Sequence, residues 1–476
     1  MNICRAVFFL ILLLSFPSLT AENYVILGWN DLGMHCANKD FQNLCILPPY
    51  NTLVAQVIRQ GDHSRFPQLV TLNLSVTYEI PGNTASAGKT NFWSYEDKLF
   101  GFQLPDDIGL TGKGLGGVME PNADHFEVAG IPITPYSDSD LIHESPYQLA
   151  LMKVYDAQNN LVAATQNVIP VSNEINCVSS GCHPTEIHIL NEHEDEGGFN
   201  PNNRPILCAN CHASAALGKT GKPGIPSLSL AIHDKHKNRT SDCYRCHPGS
   251  STRCLRDVMY AKGMGCPDCH GSVANVAETI KKGRRPWLDE PKCGAGNCHG
   301  SNFSEQPNTL FRLSRGHGNL FCSACHGSPH AIVPTIEEND NLQNLTLQGQ
   351  TGTLKDCRVC HGYTPAGKGP HNISVPVGVM SSTSHKHAIF SSYPNPFNSL
   401  VHIRFKSNGL GNVRVLIYGM DGRLIRRLID KSFVPGDHEI VWDGIAEEGR
   451  SVPSGIYVIR LVTPESSFEQ KVTLLK

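Results

Sequence analysis

The sequence has no surplus of charge of either sign: 40 Lys plus Arg stand against 43 Asp plus Glu, for a formal net charge of −3 over 476 residues. Such a balance supplies neither a basic field for nucleic acid nor an acidic tail for a cationic partner. Aromatic residues are sparse at 7 %. Beyond the N-terminus no apolar run reaches the roughly 18 residues that a membrane helix needs, so the mature chain is expected to lack a transmembrane segment. The 43 Gly and 31 Pro argue against long helices, while 40 % hydrophobic residues argue against disorder of the whole chain. Cysteine and histidine are present in excess, at 18 and 22, and most of the cysteines fall between 177 and 360.

Residues 1–21 carry Arg5, an apolar run from Ala6 to Phe16, Pro17 and then small residues, the layout of a secretory signal peptide. Cleavage is expected after Thr20 or Ala21. The compartment that follows is oxidising, which bears on every cysteine downstream.

Five segments read Cys-x-x-Cys-His: Cys208–Cys211–His212, Cys243–Cys246–His247, Cys266–Cys269–His270, Cys322–Cys325–His326 and Cys357–Cys360–His361. This is the attachment signature of c-type haem. Two more have four residues between the cysteines: Cys177–Cys182–His183 and Cys293–Cys298–His299. Two thiols on one short turn reach the two vinyl groups of a porphyrin, and the next residue sets an imidazole under the iron. Zinc ribbons also use paired cysteines, but their pairs combine in fours and do not require a histidine directly after each pair. Seven covalent haems, each with a proximal histidine, are therefore expected between 176 and 375. Attachment histidines are 23 to 35 residues apart, too close for a conventional core between them. A loop-rich segment with short helices, organised around stacked haems, follows.

The ligand on the far side of each iron separates electron transfer from chemistry at an open site. Spare histidines in this segment are His188, His193, His233, His236, His317, His330 and His371, as many as there are motifs, and bis-histidine ligation is the expectation. His385 and His387 lie in reserve further on. Met259 and Met264 are the nearest alternatives for the motif of His270, which has no free histidine close by in sequence. Of the remaining cysteines, Cys36 and Cys45 are expected to form a disulfide, and Cys254 is left over.

Residues 22–175 show short β-runs at Tyr24–Asn30, Thr52–Ile58, Val70–Ile80 and Tyr147–Val171, the last broken at Gln158-Asn159-Asn160, and read as an all-β sandwich-like domain. Residues 376–392 are a serine-rich linker. From 393 to 476 strand patterns recur at Val401–Phe405, Val413–Tyr418, Leu424–Ile429, Glu439–Trp442, Ile456–Val462 and Gln470–Leu475, which fit an Ig-like β-sandwich.

The C-terminal stretch resembles the type A sorting domain of the type IX secretion system. The resemblance is carried by Tyr393-Pro-Asn-Pro-Phe-Asn398, Ile417-Tyr418 with Asp421-Gly422, Trp442-Asp443-Gly444, Val452-Pro-Ser-Gly-Ile-Tyr457 and Lys471 to Lys476. It implies passage across the outer membrane and a cell-surface or extracellular location, with the type IX machinery as a partner. Residues 22–375 resemble large multihaem c-type cytochromes of metal-respiring bacteria, on Trp29 to Cys36, Ile46 to Thr52, Cys246 to Met259, Pro286 to Cys293 and Cys322 to Ala331. That resemblance implies an electron-transfer protein rather than an enzyme with a small-molecule substrate, no catalytic acid or base, and redox partner cytochromes or an extracellular electron acceptor. The alternative is a multihaem reductase or oxidase of a small nitrogen or sulfur compound, with one open iron at the motif of His270 near Arg253, Arg256 and Tyr260.

Overall fold

The computed structural model describes residues 23–195, 199–249, 252–295, 298–300, 303, 305–375, 390–407, 411–419, 423–433, 436–462 and 467–475. The expected signal peptide and most of the linker, with His385 and His387, lie outside them. The chain divides into two compact units at Pro376/Val377, and β-sheet dominates both.

In the N-terminal unit the strand at Tyr24–Asn30 pairs antiparallel with Thr52–Arg59, which pairs in turn with Phe126–Ala129. A second sheet is built on the hairpin Tyr147–Asp156 and Leu161–Ser172, flanked by Leu74–Glu79. The hairpin turns where Gln158-Asn159-Asn160 signals a turn, with Asn159 at φ +64° and the Asp156 carboxylate accepting the Gln158 and Asn160 amides. Alternate residues of both sheets close one core: Ile26, Leu53, Ala55, Val57 and Phe126 from the first, and Val76, Tyr78, Ala150, Met152, Val154 and Ile169 from the second.

The first sheet is buried on its other face as well. Leu27, Trp29, Val54 and Ile58 pack against Phe321, Ala324, Leu354 and Val359, which flank the last two cysteine motifs. Trp29 and Phe321 meet with ring centroids 5.3 Å apart. Further ties are the Phe321 amide donating to Gln56 Oε1 at 3.0 Å, the Gly61 amide donating to the Cys360 carbonyl at 2.8 Å, and Arg315 paired with Asp124 at 2.7 Å. The sheet is thus the wall on which the sixth and seventh motifs are mounted.

Helices of this unit are short: α1 (Glu96–Phe100), α2 (Glu186–Asp195), α3 (Leu228–His236), α4 (Cys266–His270), α5 (Val273–Lys281), α6 (Cys322–His326), α7 (Glu338–Gln348) and α8 (Arg358–His361). Apolar burial between 176 and 320 is thin, with Leu190, Leu207, Ala209, Ala277 and Ile280 the buried hydrophobic residues described there.

The C-terminal unit has a three-stranded sheet, in the order Phe390–Tyr393, Val401–Ser407, Gly436–Trp442. Its four-stranded sheet runs Leu424–Phe433, Gly411–Gly419, Gly455–Val462, Ser467–Leu474. The first strand begins inside the expected linker. Its core alternates inward along each strand: Val401, Ile403, Phe405; Val413, Val415, Ile417; Tyr457, Ile459, Leu461; Val472, Leu474; with Trp442 fully buried among them.

Candidate functional site

Each Cys-to-His motif closes one tight turn. The His212, His247 and His361 amides donate to the carbonyl of the first cysteine of their motif at 3.0, 2.9 and 2.8 Å. The motifs of His270 and His326 are themselves the single-turn helices α4 and α6. In the two longer motifs the same bond is kept: His183 donates to the Cys177 carbonyl at 3.0 Å and His299 to the Cys293 carbonyl at 3.1 Å. In both, the histidine amide keeps the partner it has in the short motif.

Opposite six of these histidines stands a second imidazole. Ring centroids are 6.0 Å apart for His183 and His236, 6.2 Å for His212 and His193, 6.2 Å for His247 and His233, 6.0 Å for His270 and His330, 5.9 Å for His326 and His371, and 6.0 Å for His361 and His317. His188 also lies 6.0 Å from His183. Imidazoles in ordinary contact stack or meet at an edge at 4.5–7 Å, so spacing alone is not diagnostic. The repeated value, however, is the one a metal imposes. Two imidazole nitrogens on opposite sides of an ion, at about 2 Å each, put the ring centroids about 6 Å apart.

The far nitrogen is prepared in several of these rings. His233 Nδ1 is 2.7 Å from the Ser229 carbonyl, His236 Nδ1 2.7 Å from the Ile232 carbonyl and His193 Nδ1 3.1 Å from the Ile189 carbonyl, each one helical turn back. His212 Nδ1 is 2.8 Å from the Pro226 carbonyl. A carbonyl acceptor fixes the proton on Nδ1 and leaves the Nε2 lone pair available as a ligand. Burial, reinforced by nearby imidazoles that include the facing one, lowers His247 and His270 to about 4 and lowers His183, His326 and His361. All five are held in the neutral form that binds metal. Among the described residues no three His, Cys, Asp or Glu side chains converge as a tetrahedral zinc site requires. The chain therefore offers paired thiols beside paired imidazoles, a donor set that fits haem c.

For the motif of His270 the facing side chain is His330 rather than Met259 or Met264, brought back by the Arg256 amide donating to the His330 carbonyl at 3.0 Å. Arg256, expected near an open site, is instead fully buried in a two-pronged pair with Asp340 at 2.6 and 2.9 Å, with Nη1 also donating to the Gly33 carbonyl at 2.7 Å. His299 has no facing imidazole among the described residues.

The disulfide expected between Cys36 and Cys45 is not formed, and both are free thiols. Cys36 is opposite Ser172 in a parallel pairing with the Leu161–Ser172 strand, whereas Cys45 is opposite Leu207 in a separate two-stranded sheet. Their strands are drawn to different partners. Cys36 is pushed far up by burial and then by Cys254 beside it. Cys254 is pulled down against its burial by His330, its hydrogen-bond partner, a contact that sequence spacing could not reveal.

In the C-terminal unit three of the quoted motifs make joints, while Asp421-Gly422 lies outside the described residues. Asn395 Oδ1 accepts the Thr473 amide at 2.8 Å and Phe397 donates its amide to the Thr473 carbonyl at 2.8 Å, tying the first motif to the last strand. Trp442 Nε1 donates to the Ile445 carbonyl at 3.0 Å across a turn whose Gly444 sits at φ +66°. Tyr457 donates its hydroxyl to the Pro453 carbonyl at 2.7 Å.

Residues 391–474 match the family of secretion system C-terminal sorting domains. The C-terminal unit is thus a sorting domain of exported proteins. Its route is type IX secretion, which takes the protein to the cell surface or beyond. No curated protein matches the chain. Among solved structures, PorZ, a surface component of the type IX secretion system of Porphyromonas gingivalis, is 21 % identical over 20 % of this chain and 13 % of its own, with a TM-score of 0.16. Latent PorU from the same organism is 12 % identical over 95 % of this chain and 34 % of its own, with a TM-score of 0.18. The chain spans about a third or less of either protein. No helix among the described residues is long and apolar enough to cross a membrane.

Proposed function

We propose that the exported chain is a heptahaem c-type cytochrome that carries electrons between a redox partner and an extracellular acceptor. The observation that carries this reading is the set of six facing imidazole pairs at 5.9–6.2 Å, each with one member directly after a Cys pair. When bound, haem supplies one-electron chemistry at iron, and two axial histidines favour transfer over substrate binding. The cysteines named above would hold the macrocycles, the attachment histidines would bind one side of each iron, and the facing histidines would bind the other side at six of the seven sites. Thin apolar burial between 176 and 320 supports the same reading, since macrocycles would supply the missing interior.

The test is haem content by pyridine haemochrome and intact mass, then low-temperature electron paramagnetic resonance of the oxidised protein with and without cyanide. Seven haems per chain, all low spin and indifferent to cyanide, are expected of a conduit. Fewer covalent haems than motifs would sink the reading. A second reading, a multihaem oxidoreductase with one open iron, is favoured at one place only, the motif of His299, which lacks a facing imidazole among the described residues. A high-spin signal that shifts with cyanide and vanishes in C293S/C298S would establish it.

A further inference from the structure

The order of the attachment sites in space differs from their order along the chain. Asn176, just before the first motif, donates from its amide to the Cys246 carbonyl at 3.4 Å and from Nδ2 to the Tyr244 carbonyl at 3.2 Å, both in the third motif. The third returns the contact through Arg245 Nη2, 3.3 Å from the Ser180 carbonyl of the first. Above both lies α3, whose His236 faces His183 and whose His233 faces His247. Three residues apart on a helix are neighbours on one face, so one element serves both sites.

The second motif lies on the other side of the first. Its His212 faces His193 on α2, the helix that follows the first motif, and the Asn43 side chain donates to Glu186 of α2 at 3.1 Å while the Asn43 carbonyl accepts the Ile206 amide at 2.9 Å. The Cys177 sulfur lies within electrostatic reach of both Cys208 and Cys246. From the third motif onward the contacts do not run in single file, since His330, which follows the sixth motif, faces His270 of the fourth. Lys281 of α5 pairs with Asp234 of α3 at 2.7 Å, which ties the helix after the fourth motif to the helix that serves the third, and the Leu354 amide next to the seventh motif donates to the Cys325 carbonyl of the sixth at 3.0 Å.

We propose that the second, first and third attachment sites form a row in that order, with α3 bridging the first and third. This rests on the haem reading above.

The test is the position of each iron by anomalous scattering from crystals of the holoprotein, each iron assigned by the cysteine pair that holds its macrocycle. The iron over Cys177 and Cys182 is expected to have two nearest neighbours, those over Cys208–Cys211 and Cys243–Cys246. If the iron over Cys208–Cys211 lies next to the one over Cys243–Cys246 instead, the row is refuted while the haem reading stands. Haem content below seven refutes the reading beneath it. One variant tests the bridge in solution: H236A is expected to convert one low-spin iron to high spin, and an unchanged spectrum removes α3 from the first site.

Discussion

At the scale of single residues, the histidines divide by what their Nδ1 atoms do. His193 on α2 and His233 and His236 on α3 bond a carbonyl one turn back, so helical geometry alone presents Nε2 outward. His330 has no such turn. It sits at φ +64° and takes Cys254 as its partner, which together with its burial makes it the histidine most dependent on tertiary contacts. Arg256 fixes the segment that positions it. Fully buried, this guanidinium is held by Asp340 and the Gly33 carbonyl and lies over the Tyr147 ring at 4.8 Å. Arg256→Met would leave the Asp340 carboxylate buried without its cation, and such a loss costs about 3–5 kcal/mol. Denaturant unfolding of the variant beside the parent measures it; an unchanged midpoint would mean that the pair is dispensable.

At the scale of elements, α7 guards the open edge of the first sheet. Its Gln343 amide receives the Gly28 amide proton at 2.7 Å and donates to the Gly28 carbonyl at 3.0 Å, the pairing that a neighbouring strand would make. Gln343→Leu would strand two buried backbone groups, at about 1–3 kcal/mol for each. Faster amide exchange at Leu27, Gly28 and Trp29 is the readout, and protection equal to the parent's would show that the edge is closed by other means. In the sorting unit, Glu439 joins the strands Val401–Ser407 and Gly436–Trp442, accepting from Arg404 and approaching His402 Nδ1 at 2.7 Å. The Arg404 bond first, then His402, holds its carboxyl down to about 2. A carboxyl depressed in the folded state adds stability above its unfolded value and loses it as pH falls through the folded one. The thermal midpoint of E439Q is accordingly expected slightly below the parent's at pH 7, the pair being exposed. The two curves should converge as pH falls from about 4.5 to about 2; a gap that persists in acid would assign the effect to packing.

At the scale of the whole molecule, the sorting motifs and the cysteine motifs reside in separate units that divide at Pro376/Val377. The sorting unit has its own core around Trp442. Deletion of 391–476 should therefore leave haem content intact while nearly all the protein stays inside the outer membrane, as cell fractionation with immunoblotting would show. Loss of haem on truncation would mean that the first unit cannot mature without the second. In the first unit the β-sheets and the motif-bearing segment are not separable in this way, because Leu27, Trp29, Val54 and Ile58 form the wall behind the last two motifs.

The sequence alone determined what is local. Cysteine and histidine spacing fixed the seven turns, alternation fixed the strands from Tyr24–Asn30 to Gly455–Val462, and the short motifs of the last domain fixed its address. The reason is that each depends on neighbours within a few residues, where chain geometry leaves few choices. Only the tertiary structure decided which histidine faces which, that Cys36 lies by Cys254 rather than bonded to Cys45, and that the first site adjoins the third. His270 and His330, or His361 and His317, are dozens of residues apart, and spacing says nothing about where a loop returns. Those choices follow from packing against a sheet and from helices that serve two sites at once, which no local pattern records.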